Sequence, residues 1–198
     1  MRRALLVVDM QRVYMEKKVY RREDMLAAVG QALAEFRETG DPIVFVRHCG
    51  ALSPWGTPGW EVHPALNRRT GDLSVEKEHG DAFDGTGLAS LLRERDVGEV
   101  LVCGLVSHGC VRATCLGGLS AGFRVTLLKD GHSTWTRDAE ARIRGTEEEL
   151  ADRGVRTAPG PAFPRTTLSC SAGPSRQSVP SPSGSGTTRG SVPGTSGA

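Results

Sequence analysis

The chain has 198 residues, 25 Lys and Arg against 23 Asp and Glu, and a formal charge of +2. That excess sits in residues 165–198, which hold three Arg and no acid, so the rest is near neutral and offers no basic footprint for nucleic acid. No stretch approaches the roughly 18 apolar residues of a membrane span, and the apolar run in MRRALLVVD is too short for an export signal. Five cysteines, odd in number and without a CxxC pair, do not make a disulfide framework. These features suit one domain of a soluble, cytoplasmic protein.

Residues 4–8 form a short apolar run that ends at Asp9, and comparable runs lie at 43–46, 100–103 and 125–128. Their length and continuity predict strands buried on both faces, as in a parallel sheet covered by helices. Between the first two, residues 23–39 space Met25, Leu26, Val29, Leu33 and Phe36 at three and four positions, and Gly40 and Pro42 close the segment. This is an amphipathic helix with a glycine stop. A Gly/Pro/Trp-rich loop follows over 49–64, then a short polar–apolar run at 72–76 and a helical segment near 86–95. After the third strand, a helix following Ser107 carries Val111, Cys115 and Leu119 toward Gly122. Residues 138–152 have helix-forming composition with Ile143 and Leu150 as their main apolar anchors, which predicts a weakly packed helix. Beyond Phe163, Ser, Thr, Gly and Pro dominate. Such a segment cannot recover its ordering entropy by burial, so the division expected is a domain over 1–164 and a disordered tail over 165–198. Strands alternating with helices predict a three-layer α/β/α sandwich around a central, mainly parallel sheet.

In open α/β sheets ligands collect beyond the carboxyl ends of the strands, so polar residues just after apolar runs are the first candidates. Asp9 is one; as a strand-end turn or cap it needs no chemistry, and spacing alone does not separate that role from catalysis. Cys110, six residues past Gly104, stands open between packing residue, metal ligand and nucleophile. Cys103 and Cys115 fall within a strand and on a helix and read as small buried residues. Ser107, His108 and Gly109 put Cys110 in the first turn of a helix with Ser107 as its N-cap, where free N–H groups and the positive dipole end favour thiolate. Lys77 follows the run at 72–76 and reaches the same edge, but its spacing does not distinguish it from a solvated lysine.

Together these pieces resemble the isochorismatase-like cysteine hydrolases, the superfamily that includes nicotinamidases and N-carbamoylsarcosine amidase. The matching blocks are LLVVDMQ (5–11), TPGWEVHPAL (57–66), KEHGDAFDGT (77–86) followed by Leu88, GLVSHGCVRAT (104–114) and DGHSTW (130–135), in family order over about residues 3–135. The resemblance implies a Rossmann-like fold and a catalytic triad of Asp9, Lys77 and Cys110. In the family's amidases a thiolate attacks an amide carbonyl to give a covalent acyl-enzyme. Asp9 is then the group that takes the thiol proton, delivers it to the leaving nitrogen and activates water, and Lys77 favours the ionised partners. The oxyanion donors implied are the backbone N–H of Cys110 and, beyond a cis Leu105–Val106 bond, that of Val106. Self-association into a homo-oligomer and the absence of a cofactor are implied by analogy.

Departures from the family pattern narrow the substrate. The first motif often reads DMQxDF, whereas here it is DMQRVYM, with Val13 and Tyr14. Gln11, Tyr14, Trp55, Trp60, Phe83 and His132 are the candidate substrate-contacting residues; Trp60 is alternatively a loop anchor, and His132 and Trp135 alternatively pack. Metal-dependent nicotinamidases carry an Asp-x-His pair after the second strand, but Arg47-His48-Cys49 has no zinc spacing. No metal is expected, and His48 and His63 read as hydrogen-bonded structural histidines. Isochorismatases proper cleave a vinyl ether and need no thiol, so Cys110 favours the amidase branch. The substrate classes this leaves are linear amides, carbamoyl or ureido compounds, and lactams such as that opened by streptothricin hydrolases. A vinyl-ether hydrolase and a non-enzymatic interaction module on the same fold are the alternatives. After Trp135 the resemblance weakens.

Overall fold

Each of the four apolar runs becomes a strand of one sheet, and each strand extends past the run that announced it. In the computed structural model, which describes residues 2–159, the strands are β1 (Arg2–Val8), β2 (Ile43–His48), β3 (Leu73–Lys77), β4 (Val97–Leu105), β5 (Arg124–Ser133) and β6 (Arg156–Ala158). They pair in the order β3-β2-β1-β4-β5-β6, and every pairing is parallel. The tail expected over 165–198 lies outside the described residues.

Parallel neighbours need crossovers. Four of the five carry α-helices, α1 (Arg12–Met15) with α2 (Arg22–Thr39), α3 (Leu88–Arg93), α4 (Arg112–Ser120) and α5 (Ala139–Asp152), while β2 reaches β3 through a long loop with two short 3-10 turns, Pro58–Trp60 and Pro64–Leu66. Alternate side chains of the central strands feed two separate cores. Ala4, Leu6, Val8, Val100 and Val102 pack with Leu88 and Leu92 of α3, Cys115 of α4 and Leu150 of α5. Leu5, Val7, Leu101 and Cys103 pack with Met25, Val29, Leu33 and Phe36 of α2. Two cores on opposite faces of one sheet are the three layers the sequence predicts, and they explain why β1 and β4 read as unbroken apolar runs rather than alternating ones.

Two parts of the sheet escape that reading. The edge strand β6, Arg156-Thr157-Ala158, is three residues long and has no apolar run. On β5 the apolar run stops at Leu128, yet the strand continues after exposed Lys129 and Asp130, with a register shift that pairs Gly104 with His132 and Leu105 with Ser133. That irregularity brings His132 beside the end of β4. Gly104 itself has φ +118°, and a Cβ there would lie 2.0 Å from the Val8 carbonyl oxygen, so β1 and β4 approach each other as they do because this position is glycine. The helix over 138–152 has Leu150 buried and Ile143 half-buried, as its composition suggests. Polar contacts add to its anchoring: Arg112 Nε and Nη2 donate to the two carboxylate oxygens of Glu149 at 2.7 and 2.5 Å.

Candidate active site

The carboxyl ends of β1, β3 and β4 converge on one edge of the sheet. Asp9 is the residue after β1, in a left-handed conformation (φ +51°) with its N–H donating to the Val46 carbonyl at 2.9 Å. Asp tolerates that conformation better than most residues do, and it swings the side chain out of strand alternation. Lys77 ends β3, in register with His48 at the end of β2. Its ammonium donates to Asp9 Oδ2 at 2.9 Å and to the His79 carbonyl at 3.0 Å, and it lies 3.4 Å from His48 Nδ1. Lys77 is 2% exposed and Asp9 4%. The lysine whose ordinary fate is solvation is therefore a buried cation with its hydrogen-bonding capacity met. Asp9 Oδ1 is also buried, with no hydrogen-bond partner among the described residues, and the Cys110 thiol lies close enough to the carboxyl to perturb it.

Burial raises the Asp9 carboxyl above its usual range even against the pull of Lys77. Burial also pushes the Cys110 thiol up to about 12, Asp9 adds to the rise, and Lys77 opposes it. The expected thiolate-favouring helix start is thus corrected. Cys110 lies in a π-type turn, Ser107–Val111, whose Gly109 leaves helical geometry (φ −114°, ψ −111°), and the regular helix begins only at Arg112. Ser107 is not the N-cap: Val106 holds that position without a side-chain cap bond, and the Ser107 hydroxyl lies 2.8 Å from His132 Nδ1. With little helix dipole at the sulfur and an anion beside it, desolvation wins and the resting site keeps the thiol proton. Cys115 is likewise pushed up to about 12 by burial, so acidity does not single out Cys110. Position does, because Cys115 is wholly in the core whereas Cys110 is half-buried beside Asp9 and Lys77. The Leu105–Val106 peptide bond is cis, as the family resemblance implies.

The loop after Lys77 is latched to the helix after Cys110. The Ala82 N–H donates to Thr114 Oγ1 at 3.1 Å, and the Asp81 carboxylate lies where a Cβ on Gly117 would be, 2.0 Å from that point. A cavity of about 370 Å³ lies beside the end of β3, lined by Cys49, Trp55, Glu76, Lys77, His79 and Asp84 among others; Asp9 and Cys110 do not line it.

The remaining candidates divide between this edge and the packing around it. Tyr14 is buried; its hydroxyl lies 2.8 Å from Ser53 Oγ, its ring stacks on Trp135, and desolvation raises its pKa, with Asp9 and Cys110 adding to the rise. Trp55 is 73% exposed and lines that cavity, with its ring tilted against Trp60. Trp60 is 5% exposed beneath the Arg47 guanidinium, 3.5 Å from the ring centroid, which is the loop-anchor role. The Gln11 side-chain amide pairs with the His48 main chain in both directions, at 2.8 and 3.0 Å, so it ties the ends of β1 and β2 together with one N–H and one lone pair left over. Phe83 packs on Phe123 and against Gly118, behind α4. His132 is buried against Ser107 and Glu147. His48, expected only as a structural histidine, is also a neighbour of Lys77 in the site: burial and the Lys77 ammonium lower its pKa, so it meets the lysine as a neutral ring. Its place at the end of β2, one strand from Lys77, was the available signal. His63 accepts from the Ala65 N–H and contacts Arg22, as a structural histidine does. Among the described residues no group of three or more His, Cys, Asp or Glu side chains is gathered to hold a metal ion, and no helix is long and apolar enough to cross a membrane.

Comparison with known proteins agrees with this fold. The isochorismatase domain profile matches residues 3–149. A streptothricin hydrolase of Streptomyces noursei is 35% identical over 148 residues, 72% of this chain and 54% of that protein; a second one from the same organism is 34% identical, over 72% and 59%. The chain thus spans a little over half the length of these curated relatives. Among solved structures, an isochorismatase family protein superposes with a TM-score of 0.75 at 28% identity, covering 79% of this chain and 97% of that one. The zinc complex of a pyrazinamidase from Pyrococcus horikoshii gives 0.71 at 30% identity, covering 80% and 99%. The profile match spans most of the chain, including Asp9, Lys77 and Cys110, and the chain belongs to the isochorismatase family.

Proposed function

We propose that this chain is a cysteine hydrolase that cleaves the C–N bond of a small-molecule amide, whether a linear amide, a carbamoyl or ureido group, or a lactam. The observation that carries the reading is the buried Lys77–Asp9 pair, whose second carboxylate oxygen is left without a partner beside the Cys110 thiol. The hydrolase names of the Streptomyces noursei relatives support the same class.

The chemistry follows from that arrangement. Asp9 takes the Cys110 proton as sulfur attacks the carbonyl carbon, a C–S bond forms, and the carbonyl electron pair moves onto oxygen. The N–H groups of Val106 and Cys110 are the donors for that oxyanion. Asp9 returns the proton to the leaving nitrogen and the C–N bond breaks, leaving a thioester; an amine or ammonia departs, or in a lactam the amine stays tethered to the acyl group. Water, deprotonated by Asp9, then attacks the thioester; the carboxylic acid leaves and the proton returns to sulfur. An acid that must both take and give a proton benefits from a carboxyl raised above its usual range, and burial raises Asp9. The positive charge of Lys77 keeps the carboxylate form accessible despite the desolvation.

The test is release of ammonia or amine from a panel of linear amides and ureido compounds, and ring opening of lactams read as the mass gain of one water. Activity is expected to vanish in Cys110→Ala and persist in Cys115→Ala, with an acyl adduct on Cys110 visible by intact mass. Equal activity in the two variants refutes the reading, and turnover of a vinyl ether by Cys110→Ala replaces it.

A further inference from the structure

His132 has a polar neighbour at each ring nitrogen, a hydrogen bond at Nδ1 and, at Nε2, a carboxylate at ion-pair distance that makes no hydrogen bond there. The Ser107 hydroxyl lies 2.8 Å from Nδ1, and Glu147 Oε1 of α5 lies 3.4 Å from Nε2. The imidazole is 3% exposed and Ser107 fully buried. Glu147 is ionised near neutral pH, since its contact with His132 holds its carboxyl below the usual range. Of the two neutral tautomers, an anionic oxygen 3.4 Å from Nε2 favours the one with its proton there, in which Nδ1 accepts and the Ser107 hydroxyl donates. Ser107 opens the turn that carries Cys110, and Arg112, which follows that turn, is held by the two-pronged bond to Glu149 on the same helix.

We propose that Glu147, His132 and Ser107 form a positioning chain through which α5 fixes the nucleophile turn, with the Arg112–Glu149 pair gripping its other end. This rests on reading Cys110 as the nucleophile of an amide hydrolase. The three residues act through Cys110 rather than on substrate. The chain also accounts for α5 itself: a helix with few apolar anchors is useful here for two polar grips on Ser107–Val111 and the residue after it. A displacement of about 1 Å at a reacting atom costs on the order of 100-fold in rate, so loosening one end of the turn has a measurable effect.

Ser107→Ala and Glu147→Gln are each expected to lower kcat on an amide about 5- to 50-fold with KM within about twofold. Ser107 and Glu147 are linked through His132, so the double variant should be no slower than the slower single one. His132→Asn, whose side-chain oxygen still accepts from Ser107, should retain more activity than His132→Ala. Glu147→Gln conserves volume at a partly exposed side chain, and its thermal midpoint should stay near that of the parent; this variant keeps the test open if the His132 variants fail to fold. Alkylation of Cys110 by iodoacetamide at fixed pH, read by peptide mass, supplies a readout that needs no substrate. Losses that multiply in the double variant, a change confined to KM, or unaltered alkylation and kcat in Glu147→Gln overturn the chain. If the parent protein turns over no amide while Glu147→Gln still changes Cys110 alkylation, the hydrolase reading fails and the positioning of the turn stands.

Discussion

Lys77 Nζ donates to Asp9 Oδ2 at 2.9 Å, and the opposite oxygen of that carboxylate is buried without a hydrogen-bond partner among the described residues. One oxygen is held by the cation, and the other remains for a proton. Asp9→Asn keeps the shape and removes the anion. Because Asp9 helps push the Cys110 thiol up to about 12 while Lys77 opposes it, removing the anion leaves the cation unopposed and lowers the thiol pKa. Alkylation of Cys110 near neutral pH should therefore be faster in Asp9→Asn, while amide turnover falls by about 10²–10⁴. In the parent protein the Cys110 rate should climb about tenfold per pH unit well into the alkaline range, without a plateau near pH 8. Peptide mass spectrometry across a pH series checks both, and slower alkylation in Asp9→Asn contradicts the electrostatic account.

Lys77→Met tests the same pair from the other side. Removing one member of a buried ion pair leaves the other uncompensated and costs about 3–5 kcal/mol, whereas replacing both by neutral groups costs far less than the two single losses added. Asp9→Asn/Lys77→Met should accordingly be more stable in urea than Lys77→Met alone. The pH dependence has a definite sign. Burial already raises the Asp9 carboxyl in the folded protein, so the folded state binds that proton more tightly than the unfolded chain, and the group's contribution to stability falls as pH rises from the unfolded value through the folded one. Without Lys77 the folded value rises further. The stability gap between parent and Lys77→Met should be widest near neutral pH and narrow in acid; a gap that widens in acid contradicts this.

How much of this was legible in the sequence depends on what kind of signal each residue carries. Burial on both faces leaves an apolar run, so β1, β2, β4 and the first part of β5 were visible, and the amphipathic spacing of Met25, Val29, Leu33 and Phe36 marked α2. Beyond Leu128, β5 is held by backbone pairing past a register shift, and backbone pairing leaves no side-chain pattern; β6 was lost for the same reason. Asp9, Lys77 and Cys110 came from motif order, because spacing alone left each with an ordinary alternative. Ser107 was read as a helix cap from its residue type, but a hydroxyl 2.8 Å from His132 Nδ1 is a tertiary contact between segments 25 positions apart. Gln11 and Phe83 were expected at the substrate for their chemistry. In the folded protein the same chemistry also serves the His48 main chain and the Phe123 ring, contacts that residue type does not announce.

Gly104 and Gly145 make a paired test of backbone freedom. At Gly104, with φ +118°, a Cβ would fall 2.0 Å from the Val8 oxygen and 2.8 Å from the Val8 nitrogen. Because this contact is backbone, no side chain can move to relieve it. Gly104→Ala should destabilise by about 3 kcal/mol or more and, by spreading β1 from β4, depress any turnover that depends on Asp9 meeting Cys110. At Gly145, within α5, an added Cβ would meet nothing within 4 Å, so Gly145→Ala should add about 0.5–1 kcal/mol. Thermal melts of the two variants, moving in opposite directions, check the pair.

Trp55 and Trp60 touch each other with ring centroids 5.8 Å apart, yet they should respond oppositely to truncation. Trp60 is buried under the Arg47 guanidinium, which is itself held by Glu76 at 2.6 Å and Ser74 at 2.9 Å. Trp60→Ala opens a void beneath that cation and should cost about 3–5 kcal/mol, with Trp60→Phe recovering part of the loss by restoring an aromatic face. Trp55 is 73% exposed and lines the cavity beside the end of β3. Trp55→Ala removes little packing, so stability should stay within about 0.5 kcal/mol. If Trp55 covers bound substrate, KM should rise several-fold at nearly constant kcat, the signature of lost uniform binding. Urea titrations of both variants, with kinetics on whichever amide the panel identifies, separate the two roles; an unstable Trp55→Ala, or a Trp60→Ala protein that keeps full stability and loses only affinity, would reverse the assignments.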